Sequence, residues 1–118
     1  MAIGFVRAGD GAAVSPSDAV MPFDAASIKR GRQLYAMHCL TCHGTEGRGD
    51  TEMREFLKTA PADLTDDVWT YGGDDGAVFH IISVGNTERD MPGFADKLTE
   101  QRIWQIVAYI RYLGGRRP

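Results

Sequence analysis

The sequence predicts an all-α fold of three to five helices, and three observations support this prediction. Residues whose side-chain oxygen can cap a helix, such as Asp24 and Thr99, stand directly before stretches in which apolar residues recur every three or four positions. Glycines follow those stretches and can end the helices. No segment shows a convincing alternation of apolar and polar residues, which is the pattern of a half-buried strand.

Length and composition set the class of protein. A chain of 118 residues, of which 43% are hydrophobic and 25% charged, is typical of one soluble globular domain. The net charge of −3 gives no basic surface of the kind that binds nucleic acid. The longest apolar candidate, residues 103–113, is interrupted by Gln105 and Arg111 and is shorter than the roughly 18 to 20 residues of a membrane span. We therefore expect neither nucleic-acid binding nor a transmembrane segment.

The first helix is predicted to begin after Asp24 and to run into a pair of cysteines. Residues 1–22 are rich in Gly, Ala, Ser and Pro and have no helical or strand period, so we interpret them as a flexible tail or linker. The predicted domain covers residues 23–115, and residues 116–118 form a short C-terminal tail.

The middle of the chain is predicted to contain loops and short helices. Residues 44–50 contain three glycines and are expected to form a loop, and residues 51–59 can form one or two exposed helical turns before Pro61. Asp74 or Asp75 can cap a short apolar helix that ends at Gly85.

The last helix is predicted to run from Thr99 to about Leu113, where two glycines end it. Apolar residues form one stripe along it: Ile103, Ile106, Val107, Ile110 and Leu113. A stripe of this kind indicates a helix that is largely buried against the rest of the domain.

The stretch "CLTCH", with Cys39, Cys42 and His43, has four interpretations. A zinc site needs four ligands, and the sequence offers no second pair. A thioredoxin-like dithiol belongs beside a βαβ pattern, which is missing, and a disulfide would close too short a loop to add much stability. The fourth interpretation is covalent attachment of haem, in which the thiols bond to the vinyl groups and the histidine ligates iron.

A haem iron bound by His43 can take a second axial ligand from elsewhere in the chain. Met91 is the main candidate, because it lies in a polar loop and is followed by Pro92. The weaker candidates among the methionines are Met21 in the tail, Met37 on the first helix and Met53, which follows the motif by only ten residues. His80, on an apolar helical stripe, is the alternative for bis-histidine ligation, although a structural histidine is commoner there.

The segments "CLTCH", "PADL", "DMPGF" and "IVAYIRYL" follow one another within residues 24–115. With them the chain resembles the class I monohaem cytochromes c of bacteria. The resemblance implies a cytochrome c fold, in which the helices wrap around one covalently attached haem c and its iron. It also implies that Cys39 and Cys42 form the thioether bonds and that His43 and Met91 are the axial iron ligands.

The same resemblance suggests further residues of the haem pocket. Pro61 corresponds to the proline whose carbonyl accepts a hydrogen bond from the ligating histidine, which would fix the imidazole tautomer. Leu64 would pack on the porphyrin edge. Trp69 and Tyr71 are candidates for donating hydrogen bonds to a haem propionate.

Gly31 and Tyr35 match the small and aromatic residues at which the first helix of the family meets the last. Ile106 and Tyr109 occupy the partner positions. Glycine permits such an arrangement because it lets two helices cross closely.

Two polar segments, residues 51–59 and 86–90, are longer than the shortest family members need. We expect both to lie at the rim of the haem and to leave the core unaltered.

With both axial positions filled, the expected function is one-electron transfer by an electron carrier and not an enzyme. We expect a monomer whose redox partners, an oxidase, reductase or dehydrogenase, dock transiently at the exposed haem edge near Cys42 and residues 44–50. The resemblance places the protein in the periplasm or elsewhere outside the cytoplasm. Two alternatives remain: an electron-delivery domain excised from a larger redox enzyme, and a gas-binding or peroxidase-like haem protein if Met91 is not a ligand.

Overall fold

The computed structural model describes residues 21–65 and 73–118. Within these ranges the chain forms four α-helices: α1 (Ala25–His38), α2 (Leu40–His43), α3 (Asp75–Val84) and α4 (Glu100–Leu113). Two 3₁₀ turns, Glu52–Phe56 and Thr87–Arg89, lie in the connections. The described part contains no strand beyond one isolated bridge, between Asn86 and Met91. The all-α prediction is confirmed, and the predicted tail lies outside the described residues up to position 20.

Side-chain caps start the three longer helices. The Asp24 carboxylate accepts from the Ser27 amide at 2.8 Å, and the Asp74 carboxylate accepts from the Ala77 amide at 2.7 Å. Thr99 Oγ1 accepts from an amide of the first turn of α4 at 3.2 Å. Each bond satisfies a backbone donor that has no partner inside the helix. The cap predictions are confirmed, and of the two candidates before α3 it is Asp74 that caps.

The chain does not pass through the cysteine motif as one continuous helix. Cys39 interrupts it, with φ −120° and ψ −28°, and α2 forms one further turn that carries Cys42 and His43. Two backbone bonds bracket the interruption, from the Cys39 amide to the Tyr35 carbonyl at 2.8 Å and from the His43 amide to the Cys39 carbonyl at 2.9 Å. The cysteine motif therefore forms a separate helical turn after α1.

Helices α1 and α4 cross in close contact at Gly31. A Cβ added to Gly31 would lie 1.9 Å from the Gln105 carbonyl oxygen and 3.0 Å from Tyr109 Cβ. One turn further along α1, the rings of Tyr35 and Tyr109 meet edge to face at 5.2 Å between centroids. The predicted contacts of Gly31 and Tyr35 with α4 are confirmed, with Gln105 as the residue opposite the glycine.

The core lies between this helix pair and α3. Ile106, Val107 and Ala108 are fully buried, and Phe79 of α3 stacks on Trp104 of α4 at 4.4 Å between centroids. No helix in the described ranges is both long and apolar enough to cross a bilayer.

A polar contact joins the start of α3 to the end of α4. The Arg111 Nε donates to the Asp75 carboxylate at 2.7 Å, and Arg116 donates to the same carboxylate at 3.2 Å. Burial raises the pKa of Asp75, but the hydrogen bonds and charges of the two arginines outweigh burial and leave the pKa below its ordinary value.

We predict that Gly31→Ala destabilises the protein by about 3 kcal/mol, because the added methyl group overlaps the Gln105 carbonyl and forces the helices apart. The free energy of unfolding from guanidinium denaturation measures the effect. Ala36→Gly, at an exposed position of the same helix, is the matched control and should cost only about 1 kcal/mol. A gain in stability for Gly31→Ala, as at an open helical site, would contradict the crossing.

We also predict that Asp75→Asn lowers the free energy of unfolding by about 1 kcal/mol near pH 7, since the ion pairs are partly exposed. The contribution of Asp75 is fully present above its unfolded pKa of about 3.9 and is lost as the pH falls through the lower folded pKa. The difference between the wild type and the variant should therefore shrink in urea titrations at about pH 2. Asp96→Asn, at an exposed carboxylate, is the control, and an Asp75 difference that persists in acid would refute the assignment.

Candidate functional site

One cavity of about 440 Å³ lies beside the cysteine motif. Its walls come from the motif, from the segment that follows the glycine-rich loop, from α3, from the loop before α4 and from α4 itself. The residues of the motif and the next segment are His38, Cys39, Cys42, His43, Leu57, Ala60, Pro61, Ala62, Asp63 and Leu64. Those of the later elements are Ala77, Val78, Ile81, Ile82, Asn86, Arg89, Asp90, Met91, Pro92, Phe94 and Ile110.

The two cysteines are half-buried, free of any disulfide and part of the same cavity wall. Burial, with a smaller contribution from the neighbouring Cys42, raises the pKa of the Cys39 thiol to about 12. A thiol with so high a pKa forms little of the thiolate that redox catalysis needs. The burial of Cys39 therefore does not favour a reactive thiol at this position.

His43 is half-buried and points one ring nitrogen at a backbone carbonyl. Its Nδ1 lies 3.1 Å from the Ala62 oxygen, and because a carbonyl only accepts, Nδ1 carries the proton. Nε2 is then left with a lone pair for a metal ion. Burial lowers the pKa of His43, more than the bond to Ala62 raises it, so the neutral imidazole is favoured.

The prediction that the Pro61 carbonyl accepts from His43 is wrong by one residue, because Ala62 supplies the acceptor. The reason is the path of the preceding loop. Gly49, with φ +73°, donates its amide to the His43 carbonyl at 2.8 Å, and a Cβ there would lie 2.4 Å from the Pro61 oxygen. The Pro61 carbonyl faces this loop, and the next carbonyl faces the imidazole.

Met91 is half-buried and is the one methionine of the described residues that lines the cavity. Its backbone pairs with Asn86 through two hydrogen bonds, of 2.8 and 2.9 Å. Met37 is 72% exposed. Met53 does not line the cavity, and Met21 packs against the hydrophobic core without lining the cavity. The geometry thus agrees with the order of candidates that the sequence suggested.

The remaining histidines occupy different environments. His80 is exposed and does not line the cavity, so the interpretation of it as a structural histidine on an apolar stripe is wrong. His38 is half-buried at the cavity wall, with its ring edge-on to Phe94 at 5.4 Å between centroids. Bis-histidine ligation through His80 has no support in this geometry.

Of the further pocket residues, Pro61 and Leu64 both line the cavity, and Leu64 is buried. Trp69 and Tyr71 lie outside the described residues. Sequence reasoning missed Ala62, Phe94 and the α3 wall. The apolar period of α3 was a usable signal for that wall, whereas nothing in the sequence distinguishes Ala62.

The donor groups in this cavity fit a haem. Two unbridged thiols, an imidazole with a free Nε2 and a thioether line one space whose other walls are largely aliphatic. Thiols can form covalent bonds to the porphyrin, and imidazole and thioether are iron ligands of c-type cytochromes. Among the described residues, no three Cys, His, Asp or Glu side chains converge to hold a bare metal ion.

The helix arrangement, the motif and the cavity define a monohaem c-type cytochrome, a protein that carries covalently bound haem c with its iron. The family described as "Cytochrome C oxidase, cbb3-type, subunit III" matches residues 26–110, and the chain belongs to that family. A similar curated relative is the cbb3-type cytochrome c oxidase subunit FixP of Azorhizobium caulinodans, 33% identical over 94 residues. That match covers 80% of this chain and 30% of the relative, so the chain spans about a third of the relative's length.

Solved structures give the same fold. A chain of the Kuenenia stuttgartiensis reducing HAO-like protein complex Kustc0457/Kustc0458 superposes with a TM-score of 0.76 at 25% identity, covering 82% of this chain and 48% of that one. Cytochrome cL of Methylophaga aminisulfidivorans superposes with a TM-score of 0.63 at 28% identity, covering 75% and 54%. The cytochrome c fold that the sequence predicted is confirmed.

We predict that Tyr35→Phe destabilises the protein by about 1 kcal/mol, because the Tyr35 hydroxyl donates to the Gly44 carbonyl at 2.6 Å, directly after His43. The loss is moderate because the Gly47 amide also donates to that carbonyl, at 3.1 Å. Thermal and chemical unfolding measure it. Tyr112→Phe, at an exposed tyrosine, should change stability by less than about 0.5 kcal/mol, and equal effects of the two variants would contradict the role of the bond.

Proposed function

We propose that this domain transfers one electron at a time, with haem c bonded to Cys39 and Cys42 and its iron ligated by His43 and Met91. The observation that carries the proposal is that these four side chains line one cavity, although Met91 is 48 residues away from His43 in the sequence. Met37, Met53 and His80, the competing ligands, do not line it.

Each of the four side chains has a distinct task. The two cysteines anchor the cofactor, which supplies the redox chemistry. The Ala62 carbonyl orients the His43 ring and keeps the proton on Nδ1, and burial keeps the imidazole neutral. The Met91 thioether is also neutral, which favours reduced iron and raises the reduction potential.

The aliphatic wall contributes by excluding water. Val78, Ile82 and Ile110 line the cavity and are almost completely buried. A dry, low-dielectric environment disfavours the additional charge of ferric iron and so also raises the reduction potential. With two protein ligands in place, small molecules would have to displace a side chain to bind.

We further propose that the domain delivers electrons inside a cbb3-type oxidase. The support is membership of the family and a relative that is named as a subunit of such an oxidase. In this proposal the domain folds as a monomeric unit on the periplasmic side, and its donor docks transiently at the rim near Cys42 and residues 44–50. Transient redox contacts of this kind need only a small interface.

We predict that Met91→Ala abolishes the weak far-red absorption band that ferric haem shows when methionine is bound. The reduction potential should also fall, because the neutral thioether is lost. His80→Ala is the matched control and should leave both the band and the potential unchanged, since His80 is exposed away from the cavity. Absorption spectroscopy and potentiometric titration provide the measurements.

Retention of the far-red band in Met91→Ala would overturn the ligand assignment. Loss of the band in His80→Ala, with the band retained in Met91→Ala, would indicate that the ligand set differs from the one that lines the cavity. Rapid binding of carbon monoxide to the reduced wild type, at an iron that Met91 does not ligate, would favour the gas-binding alternative over electron transfer.

A further inference from the structure

The two segments that exceed the minimal family length are bonded to each other. The Lys58 amide, in the first segment, donates to Asp90 Oδ2 at 2.6 Å. The Lys58 ammonium lies 3.8 Å from Asp90 Oδ1. From the sequence, these two segments are expected as separate additions to the rim, and the structure joins them across 32 positions of the chain.

The first segment is also tied to the cysteine motif at its other end. Thr51 Oγ1 donates to the Cys42 carbonyl at 3.1 Å. Between Thr51 and Lys58 the chain makes the 3₁₀ turn Glu52–Phe56, and Leu57 behind it lines the cavity. Residues 51–58 therefore form a strap that connects the motif to the loop of Met91.

Asp90 stands at the point where that loop turns toward the cavity. It ends the 3₁₀ turn Thr87–Arg89 and has φ +62°, a left-handed conformation that few residues other than glycine adopt. Its side chain is only 26% exposed, whereas that of Lys58 is 69% exposed. The next residue is Met91, whose backbone pairs with Asn86 on the other side of the turn.

We propose that Asp90 is a positioning residue for Met91 and that it acts through its hydrogen bond to the Lys58 amide. The carboxylate fixes the turn against the strap, and the fixed turn holds the Met91 side chain in the cavity. This inference rests on the proposed function, in which Met91 ligates iron. The backbone bond carries the effect, because the ammonium of Lys58 is largely solvated and its ion pair contributes little.

The test measures how readily imidazole displaces Met91 from ferric haem in the full chain. Asp90→Gly removes the carboxylate and permits the left-handed conformation, so we expect imidazole to bind about tenfold more tightly. We also expect the Met91 amide to exchange hydrogen about tenfold faster. Asp90→Asn keeps an acceptor oxygen and tolerates the same conformation, and should stay within about twofold of the wild type.

A second variant removes the donor and leaves residue 90 intact. Lys58→Pro deletes the backbone N–H, and Leu57 before it already has the extended conformation that precedes proline, with φ −105° and ψ 148°. We expect the same increase of about tenfold in imidazole affinity. Glu88→Gln removes a carboxylate from the neighbouring turn and should have no effect.

Wild-type imidazole affinity in Asp90→Gly, or in Lys58→Pro, would overturn the role of this bond. The ligand role of Met91 and the positioning role of Asp90 can be refuted separately. If Met91→Ala abolishes the far-red band while Asp90→Gly alters neither imidazole affinity nor amide exchange, the ligand assignment stands and the positioning role falls. If Met91→Ala leaves the band unchanged, the proposed function itself fails.

Discussion

Because Gly31 has no Cβ, α1 approaches α4 until the two backbones are in contact, and the elements around the cavity are placed relative to this crossing. The end of α1 leads into the cysteine motif, and α4 brings Ile110 to the cavity wall. The stacking of Phe79 on Trp104 then fixes α3 against α4. One glycine thus determines how far the motif stands from the helices that complete its pocket.

The loop after the motif adds a second constraint, which consists of backbone hydrogen bonds. The His43 carbonyl accepts from the Gly49 amide at 2.8 Å, and the Gly47 carbonyl accepts from the Leu64 amide at 2.6 Å. The Ala62 carbonyl completes the set by accepting from the His43 ring. Each bond contributes only about 1 kcal/mol, but together they leave the imidazole one orientation.

Local signals made most of this structure predictable. Caps such as Asp24 and Thr99 and the glycine that ends α3 act over one helical turn, so their effect can be read from adjacent residues. The motif places three functional groups within five consecutive positions, so it too can be recognised from adjacent residues. The place of Met91 in the cavity wall could be anticipated because its polar, proline-bearing surroundings are unlike those of a core methionine, and its role as a ligand stays a prediction.

Features that depend on distant parts of the chain could not be predicted in this way. Whether the carbonyl of Pro61 or of Ala62 meets His43 depends on how the glycine loop packs, and the two residues are adjacent in sequence. The exposure of His80 depends on which face of α3 meets α4. Because α3 is short and mostly apolar, its sequence does not show which face that is. The roles of Trp69 and Tyr71 stay predictions.

The two proposed iron ligands are held by different kinds of structure, and this difference has a consequence for function. His43 belongs to a helical turn that follows the packed α1, whereas Met91 belongs to a loop held by the Asn86 pairing and by Asp90. Loops of this kind open at a lower free energy than packed helices. Substitutions in the core should therefore alter global stability, while substitutions at the rim alter ligation and the reduction potential with the fold intact.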